Sequence, residues 1–184
     1  MSEKIKLGII GIGNMGSGHA KCVVGGECPD FELVAAADIK PQRLEWAKKE
    51  LSPDINCFDT AEKMLDSGLI NACMICVPHY DHPKYTIECL KRGIHVMTEK
   101  PAGVYTKQVR EMNEEAKKHP DVVFGMMFNQ RTNCIYRKMR ELVQTAVAIR
   151  FFLKGITDSF TLRVQNDKPF SYCKYIRCVA IRSL

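Results

Sequence analysis

Apolar runs of four to eight residues alternate with stretches in which apolar positions recur every three or four residues, and the alternation persists to about residue 144. The runs at 4–10, 31–38, 55–58, 70–77, 94–98 and 122–128 are too short for helices and nearly continuous in hydrophobicity, the pattern of strands covered on both faces. Between them, 41–51 places Leu44, Ala47 and Leu51 on one helical face, with Pro41 at a first-turn position. Residues 60–66, 83–92, 106–119 and 134–144 read as further helices, the first two stopped by Gly68 and Gly93. Strand and helix alternate throughout, which predicts an α/β fold with a doubly wound parallel sheet whose ligand lies at the carboxyl ends of the strands.

The first of those ends is the most informative. Strand 4–10 turns through Gly11, Gly13 and Gly16 directly into a helix, so G-x-G-x-x-G stands in the context that a dinucleotide site requires. Gly11 permits the tight turn, Gly13 lets the backbone approach a pyrophosphate, and Gly16 lets the helix pack close to the strand. The helix aims its free N–H groups and positive dipole end at the phosphates. Asp38 ends the next apolar run twenty-two residues beyond Gly16, near the spacing of the carboxylate that binds an adenosine ribose. Its competing reading is a cap for the helix that opens at Pro41.

Composition changes this picture little over the body of the chain. The net charge of +6 is concentrated in residues 145–184, which hold seven Lys/Arg against two Asp/Glu, so the body is nearly neutral and a nucleic-acid partner is not expected. The nine cysteines lack regular spacing, and there is no signal peptide and no apolar run of membrane-spanning length. Reduced thiols, a cytoplasmic location and no membrane contact are the expectation. Cys73 and Cys76 form a C-x-x-C inside an apolar strand, where residues three apart point to opposite faces, so they read as packing and not as a redox or metal pair. No metal site is expected.

The remaining chemistry gathers at the other strand ends: Pro78-His79-Tyr80-Asp81-His82, Glu99-Lys100-Pro101 and Asn129-Gln130-Arg131. The run GIGNMGSGHA, then Asp38, then CVPHYDHPKYTIECLKRGIHVMTEKPAG resembles the N-terminal Rossmann domain of the Gfo/Idh/MocA family of NAD(P)-dependent oxidoreductases, from about residue 5 to 144. The resemblance implies that Gly11, Gly13, Asn14, Met15 and Gly16 hold the pyrophosphate turn and Asp38 the ribose. It implies that Pro78 and His82 lie along the cofactor toward the nicotinamide, and that Glu99, Lys100 and Pro101 form the tripeptide in which the lysine sits between nicotinamide and substrate, its bond to proline often cis. The implied cofactor is NAD, with NADP possible, and the implied reaction is hydride transfer to or from a ring hydroxyl of a sugar or cyclitol. Lys100 is the catalytic candidate, a donor to the reacting oxygen, with a surface pair to Glu99 as its bland reading. His19 and His95 read as packing residues. His79 stays open as a contact to cofactor or substrate, and Arg131 reads as an anion contact or an ordinary ion pair.

Residues 145–184 depart from the family. They contain no histidine, no glutamate and one glycine, so the family's second sheet domain and its catalytic histidine are not expected there. Two domains follow: a dinucleotide-binding body at 1–144 and a basic tail at 145–184, read as a frameshift, an early stop or a natural short form. The expected function is the NAD(P)-binding domain of such an oxidoreductase, incomplete for catalysis in this chain. The alternative is a non-catalytic nucleotide-binding or interaction module.

Overall fold

The computed structural model describes residues 4–145 and 179–180. One unit runs to Phe128 and contains β1 (Ile5–Ile10), α1 (Asn14–Val24), β2 (Phe31–Ala37), α2 (Pro41–Glu50), β3 (Asn56–Phe58), α3 (Ala61–Leu65), β4 (Ala72–Ile75), α4 (His82–Lys91), β5 (His95–Thr98), α5 (Thr106–Lys118) and β6 (Phe124–Met126). The strand order is β3-β2-β1-β4-β5-β6, every pair parallel, so the chain runs outward from β1 in both directions. This is the doubly wound order expected from the alternation of elements, and the reversal between β1 and β4 opens a crevice at the carboxyl ends. A second unit holds a 3₁₀ turn (Asn129–Thr132), which includes Arg131, and α6 (Cys134–Thr145).

The near-continuous hydrophobicity of the strands is explained by two apolar layers. Ile9, Ala36 and Met74 alternate with Ile10, Ala35 and Ile75, and the two sets belong to separate clusters. The first set packs with Ala20 and Val23 of α1 and Ala47 of α2, the second with Met64 of α3, Leu90 of α4 and Met112 of α5. Cys73 joins the second cluster while Cys76 packs against the first, as the three-residue spacing in an extended chain requires.

Two features differ from the sequence reading. Val179–Ala180, β7, adds to the edge of the sheet antiparallel to β6, with Ala180 opposite Gly125 and Val179 opposite Met126. The rest of the basic tail beyond Thr145 lies outside the described residues. Cysteines 22, 57, 73, 76, 89 and 134 are free thiols as expected, but Cys28 is disulfide-bonded, which the expectation of uniformly reduced thiols did not include. No helix among the described residues is long and apolar enough to cross a membrane, and no group of three or more His, Cys, Asp and Glu side chains among them could hold a metal ion.

Candidate dinucleotide crevice

The crevice is built from backbone at one end. Gly11 has φ +90°, a conformation that only glycine adopts freely, and a Cβ there would lie 2.7 Å from the Cys76 carbonyl oxygen. Its N–H donates to the Ala37 carbonyl at 2.8 Å, and the Cys76 N–H donates to Ile10 O at 2.8 Å, so the ends of β2, β1 and β4 are stitched together around the turn. A Cβ on Gly16 would fall inside the contact radius of the Gly11 carbonyl oxygen, which is why the helix can lie so close to its strand only with glycine there.

Gly13 differs from both. Its φ of −78° and ψ of −160° are open to any residue, and a Cβ would meet nothing within 4 Å. Nothing among the described residues requires a glycine at this point. It caps α1 without a side-chain hydrogen bond, and among the described residues no side chain accepts from the N–H groups of Asn14 and Met15. Asn14 and Met15 are exposed and Gly16 is buried. An open space beside uncapped N–H groups fits a pyrophosphate. Asp38 follows β2 and is held in place by the turn: the Ile12 N–H donates to its Oδ2 at 2.8 Å and the Lys40 N–H to its Oδ1 at 2.9 Å. The carboxylate sits against the glycine turn, and it does not cap α2, whose N-cap is Lys40 with no side-chain cap hydrogen bond.

At the other end the strand termini are held by side chains. Beyond β5 the Glu99 N–H donates to Ile75 O at 3.0 Å, and the chain then passes through a cis Lys100–Pro101 peptide. Glu99 is 6 % exposed. Its Oε1 lies 2.8 Å from Nε2 of buried His19 on α1, and its Oε2 accepts from the Lys100 N–H at 3.1 Å. Burial pushes the Glu99 carboxyl up, but the His19 hydrogen bond and charge, with the Lys100 N–H and ammonium, outweigh it and hold the group below the usual glutamate value. The Glu99–Lys100 side-chain pair, the competing reading of Lys100, does not form among the described residues. Lys100 is exposed, and among the described residues its ammonium makes no hydrogen bond or ion pair.

His82 opens α4 and is 1 % exposed. Its Nδ1 lies 2.6 Å from Pro101 O and its Nε2 2.8 Å from Val77 O. A neutral ring donates to one of the two carbonyls and a doubly protonated ring to both. Either way both polar atoms are committed to backbone, so the structure gives His82 to the scaffold, while Pro78, His79 and Tyr80 are exposed on the same loop. His95 likewise serves the sheet, accepting from the Val123 N–H at 3.0 Å. Burial, with the Glu99 charge adding to it, pushes the Cys76 thiol up, which makes it a packing group and not a nucleophile. His19 as the partner of Glu99 is the contact that sequence reasoning missed. The two lie eighty positions apart, and only the strand order brings the middle of α1 to the end of β5.

With this geometry in hand, comparison with known proteins is direct. Residues 5–126 match the model of the oxidoreductase family with an NAD-binding Rossmann fold, GFO_IDH_MocA. Myo-inositol 2-dehydrogenase of Thermotoga maritima is 29 % identical over 140 residues, which is 76 % of this chain and 41 % of that protein. D-glucoside 3-dehydrogenase of Escherichia coli is 29 % identical over 79 % of this chain and 41 % of its own length. Among solved structures, myo-inositol 2-dehydrogenase from Lactobacillus plantarum superposes with a TM-score of 0.73 at 33 % identity, covering 77 % of this chain and 41 % of that one. Scyllo-inositol dehydrogenase from Lactobacillus casei, solved with NAD(H) and scyllo-inositol, gives a TM-score of 0.74 at 26 % identity over 91 % of this chain and 52 % of that one. The chain thus spans about two fifths of the length of the curated relatives it matches.

Proposed function

The chain belongs to the Gfo/Idh/MocA family of oxidoreductases with an NAD-binding Rossmann fold, and from that membership we propose that it holds NAD for hydride exchange with a hydroxyl-bearing carbon of a cyclitol or sugar. In this reading the uncapped start of α1 and the space beside Gly13 take the pyrophosphate, and Asp38 accepts the ribose hydroxyls. When bound, NAD supplies the hydride acceptor or donor. Lys100 has a separate task. With NAD bound, oxidation of a carbinol would send its hydride to the nicotinamide and its hydroxyl proton to solvent, and an ammonium hydrogen-bonded to the oxygen would stabilise the negative charge the departing proton leaves and orient the carbon.

The observation that carries the reading is that, among the described residues, the Lys100 ammonium makes no hydrogen bond or ion pair. Its neighbouring carboxylate is occupied by His19 and by the Lys100 N–H, so the ammonium remains available at the end of β5. Cyclitols and glucosides are the substrate class because the relatives that match over most of this chain are named for them.

The test has two stages. Calorimetric titration with NAD+ should show binding that Gly13→Val removes, and absence of binding to the unmodified chain overturns the reading. NADH formation is then followed by absorbance against myo-inositol, scyllo-inositol and glucosides. No NADH formation by the unmodified chain with NAD+ bound is the result expected of a domain incomplete for catalysis; formation that disappears in Lys100→Ala would overturn that incompleteness and support the role given to the lysine, and formation that survives in Lys100→Ala would overturn the lysine's role.

A further inference from the structure

Lys100 stands on a segment that the sheet no longer holds. The Glu99 N–H makes the last sheet bond on this strand, to Ile75, Pro101 has no N–H to donate, and the Lys100 N–H goes to a side chain instead of a neighbouring strand. What fixes the segment is a pair of buried histidines from two helices. His19 reaches from α1 to Glu99 Oε1, and the other oxygen of that carboxylate receives the Lys100 N–H. His82 reaches from the start of α4 to the Pro101 carbonyl, and its second nitrogen meets the Val77 carbonyl at the end of β4. The residues on both sides of Lys100 are therefore each tied to an imidazole, at 2.8 Å and 2.6 Å.

We propose that His19 and His82 are positioning residues that brace Glu99 and Pro101 and thereby set where the Lys100 ammonium stands relative to a bound dinucleotide. The proposal rests on the reading of Lys100 given above. The chemistry favours a brace over ordinary packing. A buried imidazole costs free energy unless both polar atoms are satisfied, and an aliphatic side chain would fill either position without that cost. Each ring, 8 % and 1 % exposed, instead makes one hydrogen bond to the same three-residue segment, and the other nitrogen of His82 meets the Val77 carbonyl. The rest of the crevice, the glycine turn and Asp38, is held by backbone hydrogen bonds. His19 has a further consequence, because it lies on the helix whose N-terminus is proposed to receive the pyrophosphate. A shift of α1 on binding would be passed through one hydrogen bond to Glu99 and so to Lys100.

The experiment uses the 184-residue chain with lysines carrying ¹³C at Cε, the Lys100 signal being assigned by its loss in Lys100→Arg. Amide exchange is read at Lys100 and, as a reference in the core of β5, at Val96. In His19→Leu and His82→Leu we expect Lys100 amide exchange to accelerate at least tenfold relative to Val96. The NAD+-induced shift of the Lys100 Cε signal should fall by more than half while NAD+ affinity falls less than tenfold. A purely structural role would speed both amides together and leave the Lys100 response intact in the folded fraction. Lys100 exchange and response equal to those of the unmodified chain in both variants would overturn the brace. If either leucine variant fails to fold, the alanine variants, whose cavities admit water to the freed groups, carry the same two outcomes. Failure of the functional reading looks different: the unmodified chain would bind NAD+ with no Lys100 shift, or not at all. The brace would then be judged by the exchange ratio alone, with an unchanged ratio overturning it.

Discussion

The two ends of the crevice are built by different means. The glycine-turn end is made of backbone: Gly11 takes a left-handed φ against the Cys76 carbonyl, Gly16 lets α1 touch its own turn, and Asp38 is pinned by the N–H groups of Ile12 and Lys40. The Lys100 end is made of side chains, with a buried carboxylate and two buried imidazoles holding a segment past the end of β5. Backbone construction constrains residue type at a few positions close in sequence. Side-chain construction relies on partners that only the finished sheet brings together. The first should fail through sterics, in all-or-none fashion, and the second through graded loss of position.

The largest effect is expected where backbone meets backbone. Gly16→Ala would drive a Cβ into the Gly11 carbonyl, an oxygen that cannot swing away as a flexible side chain could. We expect it to lower stability by about 3 kcal/mol or more, with Gly16→Val failing to fold, as read by denaturant unfolding. Gly13 is the contrast within the same turn. Gly13→Val should leave the unfolding midpoint of the free protein nearly unchanged, because its dihedrals are ordinary and the space beside it is open. NAD+ affinity should drop on the order of 100-fold, about 2.8 kcal/mol. A Gly13→Val protein that binds NAD+ normally would show that the turn serves the fold alone.

Asp38 should have a smaller, selective effect. A fixed carboxylate accepts ribose hydroxyls and repels a 2′-phosphate, so NAD+ is expected to bind better than NADP+, with nearby Lys40 and Arg43 reducing the margin. Asp38→Ala should narrow the preference by about tenfold, the worth of one charge-assisted hydrogen bond. Equal or tighter NADP+ binding to the unmodified chain in calorimetry would remove the basis for this claim.

The same contrast explains what could be read in the sequence. The turn was legible because its three glycines and Asp38 act through spacing along the chain, and the strands because burial on both faces leaves continuous apolar runs. Cys73 and Cys76 could be assigned to opposite faces from extended-chain geometry alone. His19 could not be assigned, since on its own helix it looks like a packing residue, and its partner lies just past the end of β5, two places from β1 in the sheet. His82 was legible as a site residue by resemblance, but the burial of its ring and its two carbonyl partners depend on how the loops after β4 and β5 meet. The pairing of Val179–Ala180 with β6 was equally out of reach, because a two-residue strand leaves no periodic pattern.

The smallest effect tests the electrostatics of the side-chain end. Glu99 is held below the ordinary glutamate value of 4.5, so at low pH the unfolded chain takes up its proton before the folded one does. The stabilisation this gives is therefore complete above that value and is lost as pH falls through the lower folded value. Glu62 and Glu88, held low by Lys84 and Arg92, slope the same limb, but they are surface groups whose ion pairs salt screens. Glu99→Gln should remove one share of the acid limb in unfolding experiments between pH 3 and 5, and that share should persist at high salt because the group is buried. A limb in Glu99→Gln that matches the unmodified protein at both low and high salt would mean that the carboxylate gains nothing from its buried partner. His19 would then be seated beside Glu99 by shape alone, and the difference in construction between the two ends of the crevice would rest on His82.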